Sequence, residues 1–560
     1  MSTGPRAARL YVLGLLGLTV GLAALRLAYL AWLCPYGLVE DESQYWEWSR
    51  HLSLSYYTKG PGIAWTIACF TQVLGHTELA VRAAAPVFSA IMLGAIGLLV
   101  RWGGAESESP ARAWRAALYA AGALAAAPIV FASALLGTID GPYCAMWALA
   151  CLCAWHLLKT RSPGARAGLS LALGAALGVG FLFKYTILLL PPGLALFAWL
   201  RPAQDRHSPQ LAGSPGVGPR DVALIVLAFV GCAAPVFIWN HQQGWPTLRH
   251  LLGHLGFEEP ALRAMAAPAP ATVRAWSPLW LPVFLASQFG LAGPGLVLGL
   301  IGAVRAWRGR ADPARRIEWF LLCAAAPIFL FYLAVSLVAE PEGNWPMGGL
   351  VTLLPLGGLV AADAMRDYHR RLAEWLAKPQ PRPREGFIRR RPETAGQVLW
   401  HLTLGVGIIG GVLMTRVDLL ARLPGLDRVV PRERLTQGPV LAAGVESIRA
   451  RAADALAQPP LLIVQHYGRA SQLAFYLPDR PIVYCASSRL GGRPTQHDFW
   501  PTHDLADPAL RGRGAVLIGA TAEAWGAWFE SVEDLGLVPG VERKGVRAFL
   551  GRGYRGPPDP

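Results

Sequence analysis

Charge is what this 560-residue chain has least of: Asp, Glu, Lys and Arg make up 16% of it, against roughly 25% in an ordinary soluble domain. Hydrophobic residues make up 53%, and apolar stretches of spanning length recur along most of residues 1–420. Together these exclude a soluble enzyme of several domains. Cysteine is scarce as well. The eight present form no disulfide framework, and most sit in apolar segments where a thiol packs as a small hydrophobe. There is no internal repeat of the kind that marks many transporters. A cleavable leader is not expected either, because the apolar run Leu10 to Leu33 is too long for one and reads as a first span.

What the chain has in abundance is membrane. The hydropathy pattern predicts about eleven spans, near 10–33, 81–100, 114–135, 142–158, 168–183, 185–200, 221–239, 278–304, 318–338, 346–363 and 398–418. Lys184 and Tyr185 interrupt one long apolar stretch, and Pro191-Pro192 is expected to kink its second half. Basic residues then set the sidedness. The N-terminus and the loops 101–113, 159–167, 201–220, 305–317 and 364–397 hold roughly 25 Lys and Arg, against about 6 in the opposite loops, as the positive-inside rule requires of cytoplasmic segments. The net charge of +15, from 51 basic and 36 acidic residues, is therefore a signal of topology, and a nucleic-acid partner is not expected.

The opposite, outer face carries the chemistry. One loop runs over 34–80 and another over 240–275, and after the last span residues 421–560 turn to soluble composition. Within that tail, 460–465, 481–485, 514–519 and 546–550 read as short strands, with helical stretches at 469–476 and 521–535. The fold class is thus mainly α: a polytopic helical bundle over 1–420 with helices in its outer loops, and a small α/β domain at 421–560.

Three adjacent acids, Glu40-Asp41-Glu42, open the first outer loop just past the membrane. A helical stretch with Tyr45, Trp46 and Trp48 follows, and then Ser55-Tyr56-Tyr57-Thr58-Lys59-Gly60-Pro61. Such aromatics are ordinary interface anchors. The acids repel one another and anionic headgroups, a costly placement unless a cation or a reacting hydroxyl uses them. A carboxylate among carboxylates suits a general base. Asp140 stands at the mouth of another span, in a Gly-Thr-Ile-Asp-Gly-Pro stretch that is also a good helix start. Lys184 is a cation flanked by apolar residues. It either snorkels to the interface or, with Lys59, neutralises a phosphate held at the membrane surface. His250 and His254 have a spacing open to metal, but no carboxylate ligand accompanies them.

These residues resemble the C-type membrane glycosyltransferases of the dolichyl-phosphate-mannose protein mannosyltransferase class, and in particular the bacterial aminoarabinose-transferase-like branch of family 39. The likeness rests on Asp41-Glu42, Tyr45-Trp46-Glu47-Trp48-Ser49, Ser55-Tyr56-Tyr57 and Lys59-Gly60-Pro61. It continues through Asp140, Lys184-Tyr185-Thr186, Trp239-Asn240, Gly244-Trp245 and Asn344-Trp345-Pro346 to Leu473–Pro478 and Gln496-His497-Asp498-Phe499-Trp500. Gly60 departs from the pattern, standing where the family often has the first of two prolines.

The resemblance implies a sugar donor on a polyprenyl phosphate and an envelope acceptor (lipid, glycan or protein) on the outer face of the inner membrane. It implies an inverting displacement with Asp41 as base and with Glu42 and Asp140 positioning hydroxyls. Lys59 and Lys184 would hold the donor phosphate, and Tyr45, Tyr56, Tyr57, Asn240, Asn344 and Trp345 would line the substrate site. No cofactor is required, though Asp41, Glu42 and Asp140 allow a divalent cation. A lipid or glycan flippase is the rival reading, and a membrane scaffold with an outer binding domain is a weaker one.

Overall fold

The structure, a computed structural model, describes residues 5–104, 109–200, 216–254, 277–377, 393–420, 422 and 432–558. It is mainly helical. Among the described residues, eight helices are long and apolar enough to cross a membrane: Pro5–Trp32, Glu78–Gly103, Asp140–Lys159, Pro163–Phe183, Pro219–Gln242, Pro313–Val335, Met347–Ala377 and Ala395–Thr415. The protein is therefore a multi-pass membrane protein.

The other three expected spans are shorter or broken, each for a local reason. The 278–304 segment is two helices, Trp280–Ala292 and Gly295–Arg308, bent by 106°. The bend falls at Gly293, in the left-handed region at φ +64, followed by Pro294. The 114–135 segment divides into Pro110–Ala125 and Pro128–Ser133. Ala127, forced toward extended backbone by the proline after it, separates the two. Over 185–200, a 3-10 turn at Tyr185–Leu189 leads into Leu190–Trp199. There the two prolines occupy the first helical turn, where a missing N–H costs nothing.

Two compact units divide the chain. One holds Met1–Trp32, Ala85–Ala234 and Ser277–Thr415, and the other Leu33–Ala84, Pro235–Trp276 and Arg416–Pro560. In the first, helices approach closely through small residues, the usual basis of helix packing in lipid. A Cβ on Gly302 would come within 2.7 Å of the Leu356 carbonyl oxygen, and one on Gly357 within 2.7 Å of the Gly299 amide.

The second unit contains a five-stranded sheet in the order β2-β1-β3-β5-β4, with β1 Leu461–Val464, β2 Tyr484–Cys485, β3 Ala515–Ile518, β4 Phe529–Leu537 and β5 Arg547–Tyr554. β1 pairs in parallel with β2 and β3, and the Tyr467–Tyr476 helix connects it to β2. All four residues of β1 and of β3 are buried, as in parallel strands covered on both faces. Ile463, Leu517, Phe549, Trp525, Trp528 and Tyr554 share one core.

The helix expected over 521–535 is overturned. Only Ala522–Gly526 is helical, and 529–537 is β4, antiparallel to β5 with Phe529 opposite Tyr554. Its run of acidic residues suits an exposed face, and pairing with β5 decides its conformation over local propensity. A 25-residue helix, Arg432–Leu456, precedes the sheet.

Candidate active site

In the first unit, Asp140 opens the Asp140–Lys159 helix. A carboxylate is favoured there by the helix dipole, and Pro142 falls in the first turn, where it breaks no helical bond. Lys184 lies 44 residues on, in extended backbone (φ −149, ψ 122) between the Pro163–Phe183 helix and the 3-10 turn. This break aims its side chain at Asp140: Lys184 Nζ donates to Asp140 Oδ1 at 2.8 Å, and Asn344 Nδ2 donates to Oδ2 at 3.2 Å. The side chains of the acid and the lysine are only 13% and 11% exposed. The ammonium also lies 5.6 Å from the centre of the Tyr143 ring, and Trp345 packs against Tyr332 at 5.5 Å. Three of the residues singled out from sequence thus converge, and Lys184 is ion-paired.

In the second unit, Glu40–Arg50 is a helix with all three acids in its first turn, where they again oppose the positive dipole end. Their fates differ. Glu42 is fully buried, accepts from the Val39 amide at 3.0 Å, and takes both Nε and Nη2 of Arg82. Arg82 in turn donates to the carbonyls of Tyr36 and Gly37. Glu40 is partly exposed, 3.9 Å from His466. Asp41 is exposed, although residues 42 to 49 behind it are all buried.

The aromatic residues of this loop hold it together. Tyr56 stacks on Trp48 at 4.5 Å, and its hydroxyl donates to the Trp48 carbonyl at 2.9 Å. Tyr45 packs edge-on against Trp48. The Tyr57 amide donates to Gln496 Oε1 at 2.7 Å, and its ring packs against those of Phe499 and His250. Burial raises its hydroxyl above the usual tyrosine range. Lys59 is half-buried, and its carbonyl closes a turn with the Tyr56 amide just before the Gly62–Leu74 helix. Asn240 is 3% exposed, with its amide spent on backbone: Nδ2 donates to the Val236 carbonyl and Oδ1 accepts from the Thr247 amide. The structure describes nothing of the His254 side chain.

Reading the sequence missed Arg82 and a buried group formed by Glu47, His497 and His503. Glu47, one acid in an otherwise aromatic helix, accepts from Ser471 Oγ at 2.5 Å. Its oxygens lie 3.5 Å from His497 Nε2 and 3.8 Å from His503 Nε2. Burial pushes His497 below the usual histidine range. Among the described residues, this is the His/Cys/Asp/Glu group whose ligand atoms converge, all within 4.8 Å of one another. The cation allowed for at Asp41, Glu42 and Asp140 finds Glu42 already occupied by Arg82. The signal available in sequence was the pair His497 and His503, six residues apart around Trp500-Pro501.

Comparison with known proteins bears out the likeness read from these motifs. Residues 58–239 match the dolichyl-phosphate-mannose-protein mannosyltransferase family, a stretch that includes Lys59, Asp140 and Lys184 and excludes Asp41. The chain is 29% identical over 319 residues to the lipid A galacturonosyltransferase RgtD of Rhizobium johnstonii, covering 56% of this chain and 58% of that one. It is 30% identical over 177 residues to undecaprenyl phosphate-alpha-4-amino-4-deoxy-L-arabinose arabinosyl transferase 2 of Sodalis glossinidius, covering 29% and 30%. These matches span less than two thirds of the curated relatives' length. Among solved structures, apo ArnT from Cupriavidus metallidurans superposes over 96% of this chain and 98% of its own, at a TM-score of 0.59 and 18% identity. The same protein bound to undecaprenyl phosphate superposes at 0.58. The fold is that of the C-type membrane glycosyltransferases. Over 58–239 the chain also carries the sequence pattern of the dolichyl-phosphate-mannose-protein mannosyltransferases.

Proposed function

We propose that the protein is a membrane glycosyltransferase that moves a sugar from a polyprenyl-phosphate donor to an envelope acceptor. The observation that carries this reading is the presentation of Asp41. It is an exposed carboxylate on the first turn of a helix whose next eight residues are buried and whose neighbouring Glu42 is locked by Arg82. A base held this rigidly keeps its geometry toward a bound hydroxyl, which is what general-base catalysis needs.

In the proposed step, Asp41 accepts the proton of the acceptor hydroxyl as its oxygen attacks the anomeric carbon. The bond from that carbon to the phosphate oxygen breaks, and polyprenyl phosphate leaves with the electron pair. A single displacement inverts the anomeric centre. Lys59 and Lys184 offset the charge gathering on the leaving phosphate, the electrostatic contribution that commonly dominates such steps. Asp140 and Asn344 hold Lys184 in place and contact sugar hydroxyls, with Trp345 alongside. Glu42 acts as a positioning residue through Arg82, and Tyr45, Tyr56, Tyr57 and Asn240 shape the substrate site. The displacement needs no cofactor.

The acceptor side faces outward in this reading, with 421–560 as a periplasmic domain and the basic loops in the cytoplasm. The activities named for the two relatives make lipid A the first acceptor to try and aminoarabinose and galacturonic acid the first sugars. Transport is less well supported. Arg166 with Asp221, Asp140 with Lys184 and Arg305 with Glu318 pair at helix ends, whereas transport sites lie near the bilayer midplane.

The test is transfer from labelled polyprenyl-phosphate sugars in membranes carrying wild type or Asp41→Asn, with envelope lipids and glycans as acceptors. Label in an acceptor with wild type only is the expected result. Equal transfer by both proteins removes Asp41 as the base, and no transfer from any donor by folded wild type removes the single-sugar reading.

A further inference from the structure

We infer that Glu47, His497 and His503 form a binding site for one transition-metal ion, zinc being the best fit, that fastens the Glu40–Arg50 helix to the C-terminal part of the chain. The proposal concerns metal binding alone and does not depend on the transferase reading.

The geometry favours an ion over a simple charge cluster. Zinc holds imidazole nitrogens and carboxylate oxygens at about 2.0–2.2 Å, which places tetrahedral ligand atoms roughly 3.3–3.6 Å apart. Here the Glu47 oxygens lie 3.5 Å from one Nε2 and 3.8 Å from the other, and all three ligand atoms fall within 4.8 Å. Those separations are long for hydrogen bonds between an imidazole and a carboxylate and close to the spacing of ligands around a shared ion. All three residues are buried, His497 at 2% and His503 at 4% exposure.

The second observation is an absence of satisfaction. Among the described residues, His497 has no hydrogen-bond partner on either ring nitrogen, although both atoms are removed from solvent. Leaving a buried polar atom unmade is costly, and a metal at Nε2 would relieve one of the two. The remaining ligands are already oriented by outer partners, as metal ligands commonly are. Ser471 Oγ donates to Glu47 Oε2 at 2.5 Å. Thr502 Oγ1 lies 3.0 Å from His503 Nδ1, which leaves His503 Nε2 directed at the carboxylate. Two imidazoles and one carboxylate suit zinc and exclude the all-oxygen preference of magnesium or calcium. Three protein ligands leave the remaining coordination to water.

The consequence is structural. Glu47 is six residues from Asp41 on one helix, and His497 and His503 come from the far end of the chain. An ion there would lock the helix in register with the β2–β3 region, in addition to the Ser471 hydrogen bond.

The experiment is elemental analysis of the full-length protein purified in detergent without chelators. The wild type is expected to carry about one zinc per chain, and His497→Ala, His503→Ala and Glu47→Gln each to carry less than about a tenth of that. Because Glu47→Gln alters a buried contact, the wild type is also stripped with a chelator and refilled with cobalt. A visible spectrum of four-coordinate cobalt, absent from the His503→Ala protein, is expected, together with a melting temperature that falls on stripping and recovers on refilling. Wild type that purifies metal-free and neither binds cobalt nor changes its melting temperature with added zinc overturns the proposal. So does metal retained equally by the histidine variants.

Discussion

The Arg82 guanidinium grips the Glu42 carboxylate with two hydrogen bonds, Nε to Oε1 at 2.8 Å and Nη2 to Oε2 at 2.6 Å, with both side chains buried. The same guanidinium spans the carbonyls of Tyr36 and Gly37. One arginine thus ties the residues that enter the helix to its first turn, next to Asp41.

Removing either partner of that pair should be far more damaging to the fold than removing Asp41. Losing one member of a buried, hydrogen-bonded ion pair costs about 3–5 kcal/mol. Glu42→Ala and Arg82→Ala should each lower the melting temperature in detergent by several degrees, and the double variant should lose less than the sum. An additive double variant would show that the two side chains act independently.

Asp41→Asn, by contrast, changes an exposed side chain and should leave the melting temperature nearly unchanged. Transfer should fall by about 10²–10⁴-fold, the usual contribution of a general base. Thermal denaturation and initial-rate transfer on one preparation check both halves.

The Asp140 cluster predicts a graded series. Lys184→Met leaves a poorly exposed carboxylate without its cation and, on the proposed function, should reduce transfer by at least about 10²-fold, the expected loss if Lys184 offsets the charge of a leaving phosphate. Asn344→Ala removes one hydrogen bond to the same carboxylate, a charge-assisted contact worth about 1.5–3 kcal/mol, and should cost less transfer than Lys184→Met. Equal losses in the two variants would contradict the roles assigned to them.

Tyr56→Phe separates loop architecture from sugar contact. Its hydroxyl donates to the Trp48 carbonyl while its ring stacks on the same indole. Stability should fall by about 1 kcal/mol, with rate per folded molecule retained within a few fold. A large drop in rate at unchanged stability would mean that the hydroxyl meets substrate.

Much of this protein was legible along the chain. Spanning helices betray themselves through length and apolar composition alone, because lipid satisfies no backbone group and tolerates little charge. The strands at 461–464 and 515–518 were legible as short continuous apolar runs. The Phe529–Leu537 strand was not, because its residues alone do not show that Arg547–Tyr554 lies beside it. Among the candidate residues, Asp41, Asp140 and Lys184 stood out as charges where charge is expensive. Arg82 did not, since a lone arginine at a span's edge looks like any other.

By itself, then, the sequence determined that the protein crosses a membrane many times, that a mixed α/β segment follows the last span, and that unusual acids and lysines punctuate its apolar stretches. Those are properties of local composition and periodicity. Which of the three adjacent acids is tied down and which is presented, that Lys184 meets Asp140 and Asn344, and that Glu47 lies against two histidines some 450 residues away were decided only by tertiary structure. Pairing between distant charged or polar groups depends on packing that no local pattern encodes.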